Sequence, residues 1–365
     1  MIPIALRTNL LFSGLFTILA GFCPEMLMRI FTNDAALVAS GSQYLRAVAL
    51  SYVLCGISQV YLILLKNTGH AAVSSRISST AVVLNIILNA ILIYGLCGAP
   101  RLGIRGAAYA TVAARVVELI WAYLETKKPE RVRILWNRLF SSAGKILSED
   151  FWRYTLPVLA ASLVWGIAYV LYSVIMGHMG SDAVAANSIT SIAKSLLSCL
   201  IRGVSGGAGV LIGNLLGADE LEKAREYGGR LTHLAIAIGV VTGGLLMLIS
   251  PAIVHFAPLT DTAAEYLQYM LLFCGLNLMA QSVNTTVLDG IFCAGGDAKF
   301  DMQGNIGAMW CFSVPLGFLA AFWLKLPVMV VYCIVNLDEI VKLPAVYLHY
   351  KKYVWVRNIT RDIEE

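Results

Sequence analysis

Charged residues are scarce in this sequence. Asp, Glu, Lys and Arg make up 13% of its 365 residues, whereas soluble domains carry about 25%. Hydrophobic residues make up 58%, and so few charges cannot cover a water-soluble protein of this size. The composition therefore excludes a cytosolic enzyme, a disulfide-stapled secreted domain and a disordered chain. It fits a polytopic membrane protein, because lipid requires no polar coat.

Motifs for metal binding and for disulfide frameworks are also missing. None of the eight cysteines forms a C-x-x-C pair, and no two of the five histidines have the H-x-x-x-H spacing. We therefore predict no metal site and no cofactor. The net charge of +5 is small. It is more typical of a membrane topology signal than of a protein that binds nucleic acid.

Ten apolar stretches are long enough to cross a bilayer, which needs about 20 mostly apolar residues per helix. The predicted spans are centred on residues 10–28, 45–65, 77–97, 104–124, 155–177, 188–213, 231–250, 264–290, 305–324 and 328–348. The sixth is the most interrupted, because it contains Lys194 and Arg202. The predicted fold is an all-α polytopic membrane protein with ten transmembrane helices.

Basic residues are concentrated in the connection at 125–150 and in the tail at 351–365. The loops at 178–187 and 251–262 contain no Lys or Arg. Because cytoplasmic loops carry an excess of Lys and Arg, we expect the connection and both termini to be cytoplasmic, with the chain in the plasma membrane.

The parts of the chain before and after this connection contain similar residues in the same order. Phe31 and Phe256, for example, each open a turn before the next span, and such matches recur at offsets of 222 to 227 residues. This repeat predicts two pseudo-symmetric bundles related by an axis along the membrane normal, of four spans at 1–124 and six at 151–350. The counterparts of two spans would precede Met1, so we expect the first bundle to be incomplete.

Several motifs resemble those of one transporter family. They are GIRGAAYAT at 103–111, Leu156-Pro157, GHMG at 177–180, AVAA at 183–186, GNLLGA at 213–218 and WVRNIT at 355–360. In this order they resemble the multidrug and toxic compound extrusion (MATE) family, from its third helix to its twelfth.

The resemblance implies an exporter of small amphipathic, often cationic compounds, driven by inward sodium or protons through alternating access. The sequence departs from the family's pattern at two places within its spans. Ala161 and Ser162 stand where many bacterial members have an Asn-Glu pair, and Ser282 stands where sodium-linked members have an acid. The first two helices, which in some members carry a proton-linked acid, are expected to be absent.

Charged residues inside the spans are the candidates for ion coupling, because charges in lipid are costly unless they meet a partner or water. Arg115 and Glu118 are three residues apart and share a helix face. Glu339 and Lys342 repeat that spacing with the signs exchanged. Each pair is either a charge relay or gate, or a structural ion pair at a helix end. Asp289 either binds a proton or sodium in a cavity, or lies at the cytoplasmic rim.

Polar and aromatic residues supply the candidates for the substrate cavity. Asn277, Gln281 and Asn284 precede Asp289 on the same predicted span. Lys194 and Arg202 are about two helical turns apart and share a face, where they either repel cations, bind anions or pair with carboxylates. Trp165, Tyr169 and Tyr172 form an aromatic stripe that either stacks on flat cations or packs against a neighbouring helix.

Three alternatives remain open from the sequence. A lipid-linked sugar flippase of the same superfamily could hold diphosphate with Lys194, Arg202 and Arg115. A non-transporting fragment is the second alternative. The third is an intramembrane serine protease, because residues 203–206 read G-x-S-G around Ser205, although such an enzyme needs a histidine base on a facing helix.

Overall fold

The fold is known from a computed structural model that describes residues 2–29, 35–128 and 145–358. All regular secondary structure in these ranges is helical, which confirms the predicted all-α fold. The α-helices are α1 (Ile2–Phe22), α2 (Pro24–Arg29), α3 (Ala35–Val48), α4 (Leu50–Leu65), α5 (Ala71–Tyr94), α6 (Ile104–Thr126), α7 (Lys145–Gly177), α8 (Ser181–Gly217), α9 (Leu221–Phe256), α10 (Asp261–Thr285), α11 (Ala298–Asn305), α12 (Val314–Phe318), α13 (Val328–Val335) and α14 (Asp338–Tyr350). Short π-helical segments lie at Lys66–His70, Thr286–Phe292, Ile306–Ser313 and Leu319–Trp323, and a 3₁₀ turn at Leu96–Gly98.

Eight helical stretches within these ranges are long and apolar enough to span a membrane. One of them, Leu50–Tyr94, has 45 residues and covers most of the second and third predicted spans. Its π-segment is kinked at Thr68 and Gly69, and Gly69 has a φ of 84°, which only glycine adopts readily. Because it has eight such apolar stretches, the chain is a multi-pass membrane protein.

The tenth predicted span, 328–348, is not one continuous helix. It is divided into α13 and α14, which are separated by Asn336 and Leu337. The polar residues at this point explain the break, because Asp338 and Glu339 form the first turn of α14. Acidic side chains are favourable at a helix N-terminus, so these residues favour starting a new helix over continuing the old one.

Internal contacts divide the chain into two compact units, Met1–Phe151 and Trp152–Glu365. The middle of the predicted basic connection, residues 129–144, and the end of the predicted tail, residues 359–365, lie outside the described residues. In the first unit, α4, α5 and α6 pack around a core of Tyr61, Leu62, Leu65, Ile77 and Ala122.

In the second unit, α10 is the central helix. Its membrane-length apolar stretch is 67% buried, and it packs most extensively against α9. Gly239 and Gly243 on α9 meet the backbone of α10 at Met279 and Gly275, and small residues permit such close helix contacts. Because α10 is enclosed by protein rather than lipid, it can carry the polar residues that line the cavity described next.

Candidate functional site

A cavity of about 350 Å³ lies inside the second unit. We call it the C-terminal cavity. Its walls come from α7, α8, α10 with the following π-segment, α11 and α14. They are formed by Ala161, Ser162, Trp165, Gly166, Arg202, Gln281, Asn284, Thr285, Leu288, Asp289, Asp301, Asn305, Glu339 and Lys342. Five of these residues are charged, which is costly inside a membrane protein unless the charges meet partners or water.

At one wall, a buried lysine is surrounded by oxygen atoms from two helices. The Lys342 Nζ lies 3.1 Å from the Glu339 Oε1, 3.1 Å from the Asn305 Oδ1 and 3.8 Å from the Asp338 Oδ2. We call these four residues the Lys342 cluster; each is less than 9% exposed. A buried ion pair persists only where its groups are paired and hydrogen-bonded, and this cluster meets that condition.

Two amides hold the carboxylates of this region in place. The Asn284 Nδ2 donates to the Glu339 Oε2 at 2.8 Å and to the Glu339 main-chain oxygen at 2.7 Å. The Asn305 Nδ2 donates to the Asp301 Oδ1 at 3.0 Å. These contacts join α10, α11 and α14 at one point, so the carboxylate positions are fixed by three helices.

Two buried amide oxygens at the cavity have no hydrogen-bond partner among the described residues, the Gln281 Oε1 and the Asn284 Oδ1. Gln281 is 9% exposed and Asn284 is 1% exposed. Leaving a buried acceptor unpaired is unfavourable, so both atoms are suited to a donor or a cation inside the cavity.

Asp289 differs from the other two acids of the cavity wall, Asp301 and Glu339, because it is exposed whereas they are buried. It lies in the π-segment Thr286–Phe292, and π-helical turns frequently occur at functional sites. Because it also lines the C-terminal cavity, its carboxylate is accessible from the cavity rather than sealed in packing. The structure thus brings together Asp289, Gln281, Asn284, Glu339 and Lys342.

The basic and aromatic candidates line an adjoining cavity of about 130 Å³. The rings of Trp165 and Tyr169 stack at 5.4 Å, with 14° between their planes, and the Arg202 guanidinium lies 5.8 Å from the Trp165 ring centre. The Lys194 Nζ donates to the Asn277 Oδ1 at 2.9 Å. Tyr172 also lines this cavity.

Asn277 has a different place from the one the sequence predicts for it. It is 1% exposed and is not among the residues lining either cavity. Its Nδ2 donates to the main-chain oxygen of Asn336 at 2.6 Å, which is a carbonyl left at the break between α13 and α14. Asn277 therefore connects Lys194 to the broken helix.

The other predicted ion pair lies in the first unit. The Arg115 Nη1 and the Glu118 Oε2 are 2.5 Å apart. The Ser58 Oγ donates to the second carboxylate oxygen, Glu118 Oε1, at 2.6 Å. Glu118 is 1% exposed, and both of its oxygens are engaged.

Sequence reasoning missed Asp301, Asn305 and Ser58. Asp301 and Asn305 are four residues apart, just before and at the start of the predicted ninth span. They therefore share a helix face, and this polar pair was the available signal. Ser58 carries no such signal, because a single serine in an apolar helix is usually bonded to its own backbone.

The serine of the G-x-S-G motif is used in packing. The Ser205 Oγ donates to the main-chain oxygen of Thr285 at 2.9 Å, and Ser205 is 4% exposed. The described part of the chain also contains no group of three His, Cys, Asp or Glu side chains able to hold a metal ion.

Comparison with known proteins agrees with this architecture. The MatE family profile matches residues 2–91 and 157–319. A probable multidrug resistance protein of Bacillus subtilis, YoeA, is 23% identical over 96% of this chain and 77% of its own length. A MOP superfamily transporter from Pyrococcus furiosus, described by a binding pocket of reversed polarity, has a TM-score of 0.84 at 19% identity over 96% of this chain and 77% of its own. An outward-facing multidrug resistance MATE transporter has a TM-score of 0.83 at 19% identity over 97% of this chain and 78% of its own. Because the profile matches more than half of the chain, the chain belongs to the MatE family.

Proposed function

We propose that this protein is a secondary transporter that exports small amphipathic organic cations from the cytoplasm by alternating access, in exchange for an inward-moving cation. The observation that carries the proposal is the C-terminal cavity, a polar chamber inside a membrane bundle with the accessible carboxylate of Asp289 in its wall. Membership of the MatE family and the names of the similar proteins support the same class of function. We place the chain in the plasma membrane with cytoplasmic termini.

The cavity offers two kinds of contact to such a substrate. Asp289 supplies the negative charge that attracts a cation, and the ring of Trp165 supplies an apolar face for a flat group. The Trp165 ring is itself stacked on Tyr169, which lines the adjoining cavity. Arg202 lies beside the Trp165 ring and repels a second positive charge. The arrangement therefore favours a molecule with one positive group and one aromatic or apolar part.

The substrate and the coupling ion are exchanged for one another if both bind the same carboxylate. When a proton or another cation neutralises Asp289, the attraction for the organic cation is lost, and the substrate leaves. Binding of the substrate opposes binding of the ion by the same factor, because coupling between two ligands is reciprocal. The energy of the ion gradient is thereby used for export.

The test is efflux of a fluorescent organic cation from vesicles that contain the full chain, with an imposed ion gradient. We expect Asp289→Asn to lower the rate by about tenfold or more, equivalent to 1.4 kcal/mol in the barrier. Asp261→Asn is the matched control, because Asp261 is an exposed acid at the start of α10, the helix that directly precedes the π-segment of Asp289. Equal efflux by Asp289→Asn and the unmodified chain would contradict the proposal.

A lipid-linked sugar flippase is the second candidate. The observation that favours it is the presence of Lys194 and Arg202 in the adjoining cavity, since a diphosphate requires cations. Lys194 is bonded to Asn277, and Arg202 lies against Trp165. Inhibition of dye efflux by a water-soluble polyprenyl diphosphate, lost in Arg202→Gln, would favour this candidate.

A further inference from the structure

The Lys342 cluster has the form of a cation site that is filled by the chain's own lysine. Three oxygens from Glu339, Asp338 and Asn305 surround the Lys342 Nζ at 3.1 to 3.8 Å. Carboxylate and amide oxygens are the ligands that hard metal cations prefer. The centre of this oxygen set is occupied by an ammonium group.

A second observation marks this place as one that accepts positive charge. The Asn284 Oδ1, 1% exposed at the same cavity wall, has no hydrogen-bond partner among the described residues. The Asn284 Nδ2 is already used on Glu339, so the free atom is an acceptor next to the carboxylate. An unpaired acceptor is best satisfied by a proton donor or a cation.

The charged residues that line the cavity leave it with an excess of negative charge. Its lining holds three carboxylates, from Asp289, Asp301 and Glu339, and two cations, from Arg202 and Lys342. The lining therefore has a net charge of −1 with all five groups ionised. Of the remaining charged neighbours, Asp338 lies within the Lys342 cluster, and Lys194 lines the adjoining cavity.

We propose that Lys342 is a tethered cation: its ammonium occupies the position that sodium would take among Glu339, Asp338 and Asn305, so that this site excludes sodium and the export is coupled to protons. This inference rests on the proposed function for the coupling step. A proton needs no coordination shell and can bind a carboxylate directly, as on Asp289, whereas a sodium ion needs several oxygens that are already directed at Lys342. The lysine thereby determines which ion the bundle accepts.

The test measures sodium binding by thermal unfolding of the purified full chain in detergent, in sodium chloride against choline chloride. For the unmodified protein we expect the same unfolding temperature in the two salts. In Lys342→Gln the oxygens lose their ammonium, and we expect saturating sodium to raise the unfolding temperature by about 3 °C. Sodium stabilisation of the unmodified chain, or a folded Lys342→Gln that does not respond to sodium, would overturn the proposal.

Two further variants separate ion binding from a general effect on folding. Lys299→Gln removes an exposed lysine of α11 and should leave the protein insensitive to sodium. Glu339→Gln combined with Lys342→Gln removes a carboxylate of the proposed site, and the sodium effect should disappear. If Lys342→Gln does not fold, Lys342→Arg keeps the cation and should be folded and insensitive to sodium, and a sodium response in that variant would overturn the proposal.

This readout does not depend on transport. If the unmodified chain exported no organic cation, the proposed function would fail, while the sodium response of Lys342→Gln would still show whether the lysine occupies a cation site. Conversely, efflux driven by a sodium gradient would leave the export function standing and would remove the role assigned to Lys342.

Discussion

Each unit of this protein contains an acid and a base three residues apart on one helix, and the two pairs are built differently. In the first unit, the Glu118 side chain is 1% exposed while its partner Arg115 is 31% exposed. In the second unit, the Glu339 and Lys342 side chains are 10% and 5% exposed, and their oxygens and nitrogens reach residues of α10 and α11. The same local spacing therefore gives two different results. The pair in the first unit has one further partner, a serine, whereas the pair in the second unit belongs to a network that forms a cavity wall.

The difference teaches where an ion pair can take part in transport. Both oxygens of Glu118 are used, by Arg115 and Ser58, and the pair offers no open acceptor. Glu339 lies beside the unpaired Asn284 oxygen and in the same cavity wall as the exposed Asp289. We therefore propose that ion coupling takes place in the second unit and that the Arg115–Glu118 pair stabilises the α4–α6 contact.

The largest expected effect comes from removing the carboxylate of the buried network. Glu339→Gln leaves the Lys342 ammonium with Asp338 at 3.8 Å as its nearest charged partner, so we expect the free energy of unfolding to fall by about 3–5 kcal/mol. Thermal or denaturant unfolding in detergent measures this change. Glu265→Gln, at an exposed position on α10, is the control, and equal stability of the two variants would show that the network does not hold the bundle together.

A smaller effect is expected from the matching change in the first unit. In Glu118→Gln the partner Arg115 remains partly hydrated, because it is 31% exposed, so we expect a loss of about 1–3 kcal/mol. Efflux of the organic cation should persist in this variant. The same unfolding and vesicle assays compare it with Glu339→Gln, and loss of ion-driven efflux at unchanged stability would move ion coupling into the first unit.

The smallest expected effect is that of Ser58→Ala. It removes the hydrogen bond from the Ser58 Oγ to Glu118 at 2.6 Å, and hydrogen bonds to charged groups contribute about 1.5–3 kcal/mol. Because Arg115 still pairs with the other carboxylate oxygen, we expect a loss near the lower end of that range, about 1.5 kcal/mol. Additive effects of Ser58→Ala and Arg115→Gln in a double-mutant cycle would contradict the shared network described here.

The sequence was sufficient for those features that depend on composition and helical spacing. Apolar length predicts the spans, and a separation of three residues predicts both ion pairs, as the structure has them. The sequence did not reveal the break between α13 and α14, because apolar length alone does not show where a helix stops inside a span. It also could not join Asn284 to Glu339 or Asn305 to Lys342, since these contacts depend on how α10, α11 and α14 pack.

The most direct test of the account reconstitutes the full chain in vesicles and compares two imposed gradients, one of protons and one of sodium at equal pH on both sides. We predict that the proton gradient drives efflux of the organic cation, and that the sodium gradient gives no more efflux than choline. Efflux driven by sodium alone would contradict the central claim that Lys342 holds the place of the metal cation.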